Sequence, residues 1–420
     1  MNNRPLVLAF GALAVFATGA AAQSGSARRV NADVGFLAAD AREGRGVGSR
    51  GLDAAAEYIA REFARIGLSQ PWETGYFQAF AIDSTAPAAA HTGIGGANVK
   101  NVVGVLPGRG ALAGQVVVIG AHYDHLGRGG AGVGSLDPDS VGVIHNGADD
   151  NASGTAALLE AARLLRGKLQ GDRRTVVFVA FTAEETGLIG SSHYAQHPVY
   201  PNDSTVAMIN FDMVGRLRDD KLLALGAETA PELKPLLDSL NAPYRFDLRA
   251  SGDGWGRSDH ASFYGAKIPV IHFFTDTHEQ YHRVTDDPAT INGAGIARVA
   301  SYAADLAIAL AARPERLTYV AVARPEPVAA GQGASLGTIP DMASNPGGVR
   351  LTGVREGTAA AAAGIQAGDI ITRIGDHAVT DLQAMSNALA AYKPGDVVEV
   401  VVRRGEETLT FTVTLGRRGG

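Results

Sequence analysis

Four short apolar runs mark the chain: VVVI at 116–119, VVFVAF at 176–181, VAMINF at 206–211 and PVIHFF at 269–274. Each is nearly continuous in hydrophobicity, the pattern of a strand covered on both faces. Among them, TAALLEAARLLRGK at 155–168 and IARVASYAADLAIALA at 296–311 space their apolar residues for helices. An earlier stretch, RGLDAAAEYIAREFARI at 50–66, does the same and runs into Gly67, which suits a left-handed C-cap. Strands alternating with helices predict an α/β core. The small, Pro/Gly-rich segment at 81–96 reads as an exposed loop between strands near 77–80 and 99–106.

The pattern changes at 316–333, which is rich in Pro, Ala and Gly and reads as a linker. Beyond it, 349–354, 369–374, 397–403 and 408–415 have strand character and 382–392 has helical spacing. These predict a small second domain at 334–418, after a first at 31–315.

Composition narrows the class. A chain of 420 residues exceeds one ordinary core, which supports two domains. Its formal charge of -6, with no Lys/Arg-rich block, offers no surface field for nucleic acid. MNNRPLVLAFGALAVFATGAAAQ opens with Arg4, an apolar stretch at 6–17 and small residues up to Ala22. That order predicts a signal peptide at 1–22, export to the periplasm or medium, and no stable membrane anchor after cleavage. The chain has no cysteine, so no disulfide supports the fold.

Each apolar run is followed within a few residues by side chains that bind metals: His122 and Asp124, Glu184 and Glu185, Asp212, and His278 or His282. In open α/β sheets the functional crevice lies beyond the carboxyl ends of the strands, so these sets predict one shared site. In GAHYDHLG (120–127), His122 and Asp124 share one side of an extended strand end, placing Asp124 to hydrogen-bond the His122 ring. HNGADDNASG (145–154) offers Asp149, Asp150 and Asn151 before a helix. Helix capping accounts for one of them. A carboxylate can also bridge two cations, so an acidic residue of this cluster is a candidate bridge. FTAEETG (181–187) sets Glu184 beside Glu185 at the end of an apolar strand, where charge needs compensation. The acidic loop at 137–141 lacks calcium-loop spacing, because Val141 stands where a third side-chain oxygen belongs, and it reads as a surface loop.

In order, GAHYDHLG, GADDNASG, FTAEETGLIGS, MINFDMVG and YHRVTDD closely resemble the motifs of the M28 family of co-catalytic zinc metallopeptidases, mostly aminopeptidases, over 31–312. The resemblance implies a three-layer α/β/α zinc-peptidase core with a mixed, largely parallel sheet. It implies one metal held by His122, Asp150 and Asp212 and a second held by Asp150, Glu185 and His282. Glu184 would be the general base, and the Asp150-Asn151 peptide bond would be cis. The mixed N/O ligand set suits two Zn²⁺ ions per subunit and accommodates Mn²⁺ or Co²⁺. Two cations against three ligand carboxylates leave a positive centre that can acidify a bridging water and polarise a peptide carbonyl. Asp124, Asp149 and Asn151 then support the site. His260 or Tyr281 could donate to a developing oxyanion, and His125, His272 and His278 are further candidates.

ASLGTIPDM at 334–342, followed by GVREGTAAAAAGIQAGDIITRIGD at 353–376, resembles a PDZ domain, a β-rich α+β fold. Such domains add an extended peptide as a strand and hold its terminal carboxylate on a loop, here Leu336, Gly337, Thr338 and Ile339. That loop has one glycine where two are often found, so a domain that packs on the peptidase or gates its cleft is the alternative. The resulting expectation is an exported aminopeptidase that acts on peptide substrates, with a C-terminal peptide as ligand of the PDZ domain. A glutaminyl-cyclase-like or carboxypeptidase-like enzyme is the alternative. A non-catalytic peptide-binding protein is disfavoured, because all five ligand positions and Glu184 hold suitable residues.

Overall fold

An eight-stranded sheet organises the larger domain. Its strands are β1 (Phe77–Ala81), β2 (Asn98–Leu106), β3 (Val116–His122), β4 (Thr175–Phe181), β5 (Thr205–Phe211), β6 (Lys221–Leu225), β7 (Asp247–Ser251) and β8 (Val270–Phe274). They lie in the order β1-β2-β4-β3-β5-β8-β6-β7. The central strands β4, β3, β5 and β8 run parallel, while β2 and β6 join them antiparallel. The computed structural model describes residues 10–85, 89, 92–130, 134–137, 139–323, 333–341 and 347–417.

The four apolar runs are the four central strands, and every residue of β3, β4, β5 and β8 is buried. Alternation along each strand divides the core into two layers. Val117, Ile119, Phe178 and Ile209 pack with α1 (Phe10–Leu37), α2 (Arg50–Ile66), α3 (Gly154–Lys168) and α7 (Gly293–Ala312). Val116, Val118, Val177 and Met208 face α4 (Ile189–Gln196) and α6 (His260–Gly265) on the other side. The remaining helix, α5 (Leu233–Asn241), covers β7. The mixed sheet and its two helical layers are those expected. Strands β6 and β7 carry short, weak patterns, KLLAL and DLRAS, and escape sequence reading.

Two segments are anchored more firmly than expected. The described part of the loop at 81–96 is largely exposed, as expected, but Ile82 and Ala89 are buried against Val99 and Ala183. The first part of the linker is also tied down: Val320 N donates to Thr229 O, Tyr264 Oη donates to Val320 O, and Val322 N donates back to Tyr264 Oη. At the other end, the folded unit reaches back at least to Ser26, whose hydroxyl donates to Glu160 on α3. Arg163 on α3 pairs at 2.7 Å with Asp33 of α1 and at 2.9 Å with Glu62 of α2, joining three helices.

The smaller domain contains β9 (Ala334–Ser335), β10 (Thr338–Pro340), β11 (Val349–Val354), α8 (Ala359–Ala363), β12 (Ile370–Ile374), β13 (His377–Ala378), α9 (Leu382–Ala390), β14 (Val397–Arg404), β15 (Glu407–Thr414) and β16 (Gly416–Arg417). Its own core includes Leu336, Leu351, Ile371 and Val400. The order β10-β11-β12-β14-β15 leaves β10 at an edge. Among the described residues, contacts at this edge and at Asp341 just after it join the smaller domain to the larger one. Lys221 Nζ lies 2.7 Å from Asp276 Oδ2 and 3.1 Å from Asp341 Oδ1. Thr277 Oγ1 donates to Pro340 O at 3.3 Å.

Candidate metal centre

The chain turns sharply where its central strands end. Ala183, Met213 and His282 all take left-handed φ values, of 54°, 50° and 56°. Such values are uncommon outside glycine and here redirect the backbone just after β4 and β5. As a result Glu184, Glu185, Asp212 and His282 gather with His122, at the end of β3, and Asp150. The Asp150-Asn151 bond is cis.

Asp150 sits at the middle. Its Oδ1 lies 3.4 Å from His122 Nε2, and its Oδ2 lies 3.1 Å from His282 Nε2. On the first side His122 Nε2 is 3.3 Å from Asp212 Oδ1; on the second His282 Nε2 is 3.1 Å from Glu185 Oε2. His122 Nε2, Asp212 Oδ1 and His282 Nε2 are buried without a hydrogen-bond partner. Four carboxylates, two buried and two partly buried, facing two such imidazole nitrogens are unstable as a bare cluster. Tetrahedral zinc with bonds of about 2.0 Å holds its ligand atoms about 3.3 Å apart, and the separations here match that spacing. The residues therefore fit two cations that share Asp150.

Electrostatics separates the two glutamates. Burial holds the Glu184 carboxyl well above its ordinary pKa, against the pull of His122. Burial would raise Glu185 too, but His282 and His125 outweigh it and hold that carboxyl well below the usual range. Burial lowers His122, yet Glu184 and Asp212 outweigh it and keep the ring well above its ordinary value, as expected where negative charge is in excess.

His125 and His282 both approach Glu185. His125 Nδ1 makes a 2.7 Å hydrogen bond to Glu185 Oε1, which makes it an orienting group. His282 instead bonds Gly134 O through Nδ1 at 2.9 Å, leaving Nε2 to face the cluster as a ligand does.

The supporting residues occupy specific places. Asp124 does not hydrogen-bond the His122 ring: Nδ1 and Oδ1 are 3.7 Å apart, beyond hydrogen-bond range. Its carboxylate instead accepts the backbone N–H of Glu184 at 3.1 Å and of Glu185 at 3.4 Å. Strand pleating brings Asp124 to the correct side, but the neighbouring turn offers unpaired N–H groups and takes it. Asp149 accepts Gly215 N and pairs with His278 Nε2 at 3.0 Å. Asn151 donates to Phe211 O and accepts from Gly154 N, fixing the end of β5 against the start of α3. Tyr281 stacks on the His282 ring at 3.9 Å, and burial keeps its hydroxyl protonated. His260 stacks on His272 at 4.5 Å; burial lowers both, His272 to about 4, so both rings are neutral.

In the smaller domain, Leu336 and Ile339 are buried. Gly337 has φ +77° and its N–H bonds Ser335 Oγ at 3.1 Å. A Cβ at Gly337 would collide with Thr358, so this turn requires glycine.

Sequence reasoning missed Asp286 and Arg45. Asp286 is fully buried and accepts the N–H groups of Asp149 and Asp150 while pairing with Arg216 at 3.2 Å. Its place in YHRVTDD was the available signal. Arg45, in GRG, carried none.

The fold resembles solved enzymes. It matches a Zn-dependent exopeptidase from Parabacteroides distasonis with a TM-score of 0.54 at 20% identity, covering 67% of this chain and 97% of that one. It also matches a Bacteroides thetaiotaomicron glutaminyl cyclase with a TM-score of 0.53 at 17% identity, covering 68% and 97%. The sequence matches peptidase family M28 over residues 101–307 and a PDZ domain over residues 334–415, so the chain carries an M28 peptidase domain followed by a PDZ domain. Aminopeptidase YwaD of Bacillus subtilis is 36% identical over 199 residues, 45% of this chain and 39% of that protein. The chain spans about two-fifths of the length of the curated relatives it matches.

Proposed function

We propose that the protein is an exported two-zinc exopeptidase, an aminopeptidase that releases N-terminal residues from peptides. The observation that carries this reading is the division of Asp150, whose two oxygens face two separate imidazole–carboxylate pairs. When bound, the zinc ions would supply a nucleophilic water at neutral pH and polarise the scissile carbonyl. Glu184, with its carboxyl held high by burial, suits a general base that takes a proton and returns it to the leaving amine. The protonated Tyr281 hydroxyl suits hydrogen-bond donation to an oxyanion. Export agrees with the N-terminal pattern, because cleavage after Ala22 retains Ser26 and Asp33, which anchor α1. The PDZ domain would hold the terminal carboxylate of a peptide near Gly337.

Hydrolysis of peptides with free, N-blocked and C-blocked ends tests the main reading. Cleavage should require a free N-terminus, and equal cleavage of N-blocked peptides would overturn the aminopeptidase assignment. The fold shared with a glutaminyl cyclase supports a second reading, and zinc counting separates them. Full activity with one tightly bound zinc would favour the cyclase-like enzyme. Sequencing the exported protein should give Gln23 as its first residue.

A further inference from the structure

Arg45 is a fully buried arginine that belongs to none of the motifs. Its guanidinium spends four hydrogen bonds on backbone carbonyls from three segments. Nε donates to Tyr123 O at 2.7 Å, Nη1 to Leu37 O at 2.7 Å and to Asn146 O at 2.8 Å, and Nη2 to Gly147 O at 2.8 Å. Tyr123 lies between His122 and Asp124, and Asn146 and Gly147 immediately precede the turn that carries Asp150. One planar group thus spans the two loops that bring the first ligand and the bridging ligand together.

The backbone is shaped to deliver it. Glu43, Gly44 and Arg45 are all left-handed, with φ of 51°, 63° and 50°. A Cβ at Gly44 would strike the carbonyl oxygens of Gly127 and His145, so the segment threads between the same two loops at the closest approach that a backbone allows. It is stitched there by Gly127 N to Gly44 O at 3.0 Å and His125 N to Arg45 O at 3.2 Å. A buried guanidinium that meets carbonyls rather than a carboxylate forgoes a direct ion pair. Its compensation comes from farther away, through the fields of Asp124, Asp150, Asp286 and Glu185. Burial lowers its pKa to about 10, which leaves it charged at neutral pH.

We propose that Arg45 is a positioning residue of the metal centre: it fixes the spacing between the His122 and Asp150 loops and supplies permanent positive charge beneath the carboxylate cluster. This rests on the two-zinc reading of that cluster. Lysine keeps the charge but cannot span both loops, and glutamine loses the charge, so the two roles separate in R45K and R45Q.

The test is zinc affinity by chelator competition, with the visible spectrum of the cobalt-substituted protein and circular dichroism of the metal-free form, for wild type and both variants. Both variants should keep the metal-free fold. R45K should bind zinc 10- to 100-fold more weakly, a size usual for groups that orient ligands. R45Q loses the same span together with a cation that repels zinc, so it should bind more weakly than wild type but no more weakly than R45K, and the cobalt bands of both should shift. Native zinc affinity and cobalt spectrum in R45K and R45Q would overturn the role of Arg45 alone. Metal-free variants that fail to fold would assign it to folding instead. A wild type that binds no zinc would remove the two-zinc reading and the proposal with it.

Discussion

The backbone N–H of Glu184 donates to Asp124 Oδ1 at 3.1 Å, so a carboxylate from the end of β3 holds the turn after β4. The other oxygen takes the N–H of Glu185. Asp124→Ala should therefore disturb base and ligand together, lowering both turnover and zinc affinity by about 10- to 100-fold. Asp124→Asn, which keeps one acceptor, should fall between the variant and wild type. Steady-state kinetics with zinc titration checks this, and native values in Asp124→Ala would exclude the role.

Glu184 and Glu185 should separate cleanly. Glu184→Gln is expected to lose about 10²- to 10⁴-fold in turnover while retaining its zinc, because the amide cannot accept a proton. Elemental analysis beside the rate measurement decides it. Turnover near wild type would remove Glu184 as the base.

Ligand substitutions should divide by side. His282→Ala and Glu185→Ala remove one face of the centre, Asp212→Ala removes the other, and Asp150→Ala touches both. Zinc content should fall by one ion per chain in the first three and by more in Asp150→Ala. Equal losses in all four would mean that Asp150 does not bridge.

Much of this site was legible because strands and ligands share one rhythm. VVFVAF and VAMINF are too apolar to be anything but covered strands, and acidic residues follow each within four positions, so Glu184, Glu185 and Asp212 announce themselves. The supporting contacts were not legible, because they depend on loop paths. Asp124 lies where pleating puts it, yet it bonds the turn of another strand. Asp286 and Arg45 act through backbone groups, which leave no residue pattern to read. Strands β6 and β7 are short and half amphipathic, and tertiary pairing, of β6 with β8 and of β7 with β6, decides them.

The helical layer has its own weak point. Arg163 compensates Asp33, Glu62 and Glu160, whose side chains are nearly or wholly buried. Arg163→Met should destabilise by about 3 kcal/mol, since it leaves buried Asp33 with only the Tyr58 hydroxyl, while Arg29 still pairs with Glu160 and Arg65 with Glu62. Denaturant titration measures the loss, and a change below about 1 kcal/mol would show the network to be dispensable.

The start of the linker should behave as part of the peptidase domain. A chain ending at Ala323 keeps the bonds of Val320 and Val322 to Thr229 and Tyr264, whereas one ending at Arg316 loses them. The shorter chain should melt lower, by about 2 kcal/mol in stability for a few net hydrogen bonds. Equal melting temperatures would return those residues to the linker.

The edge strand β10 and the larger domain meet at a single oxygen. Gly337 O and Asp341 N face β11, so Thr338 and Pro340 direct their backbone groups to the open side, where an incoming peptide would pair. Proline offers no N–H there, and the Thr277 hydroxyl, five residues before His282, already claims its carbonyl. A guest strand pairing there would share that oxygen with the enzyme's own loop, so docking on the smaller domain would be felt five residues from His282.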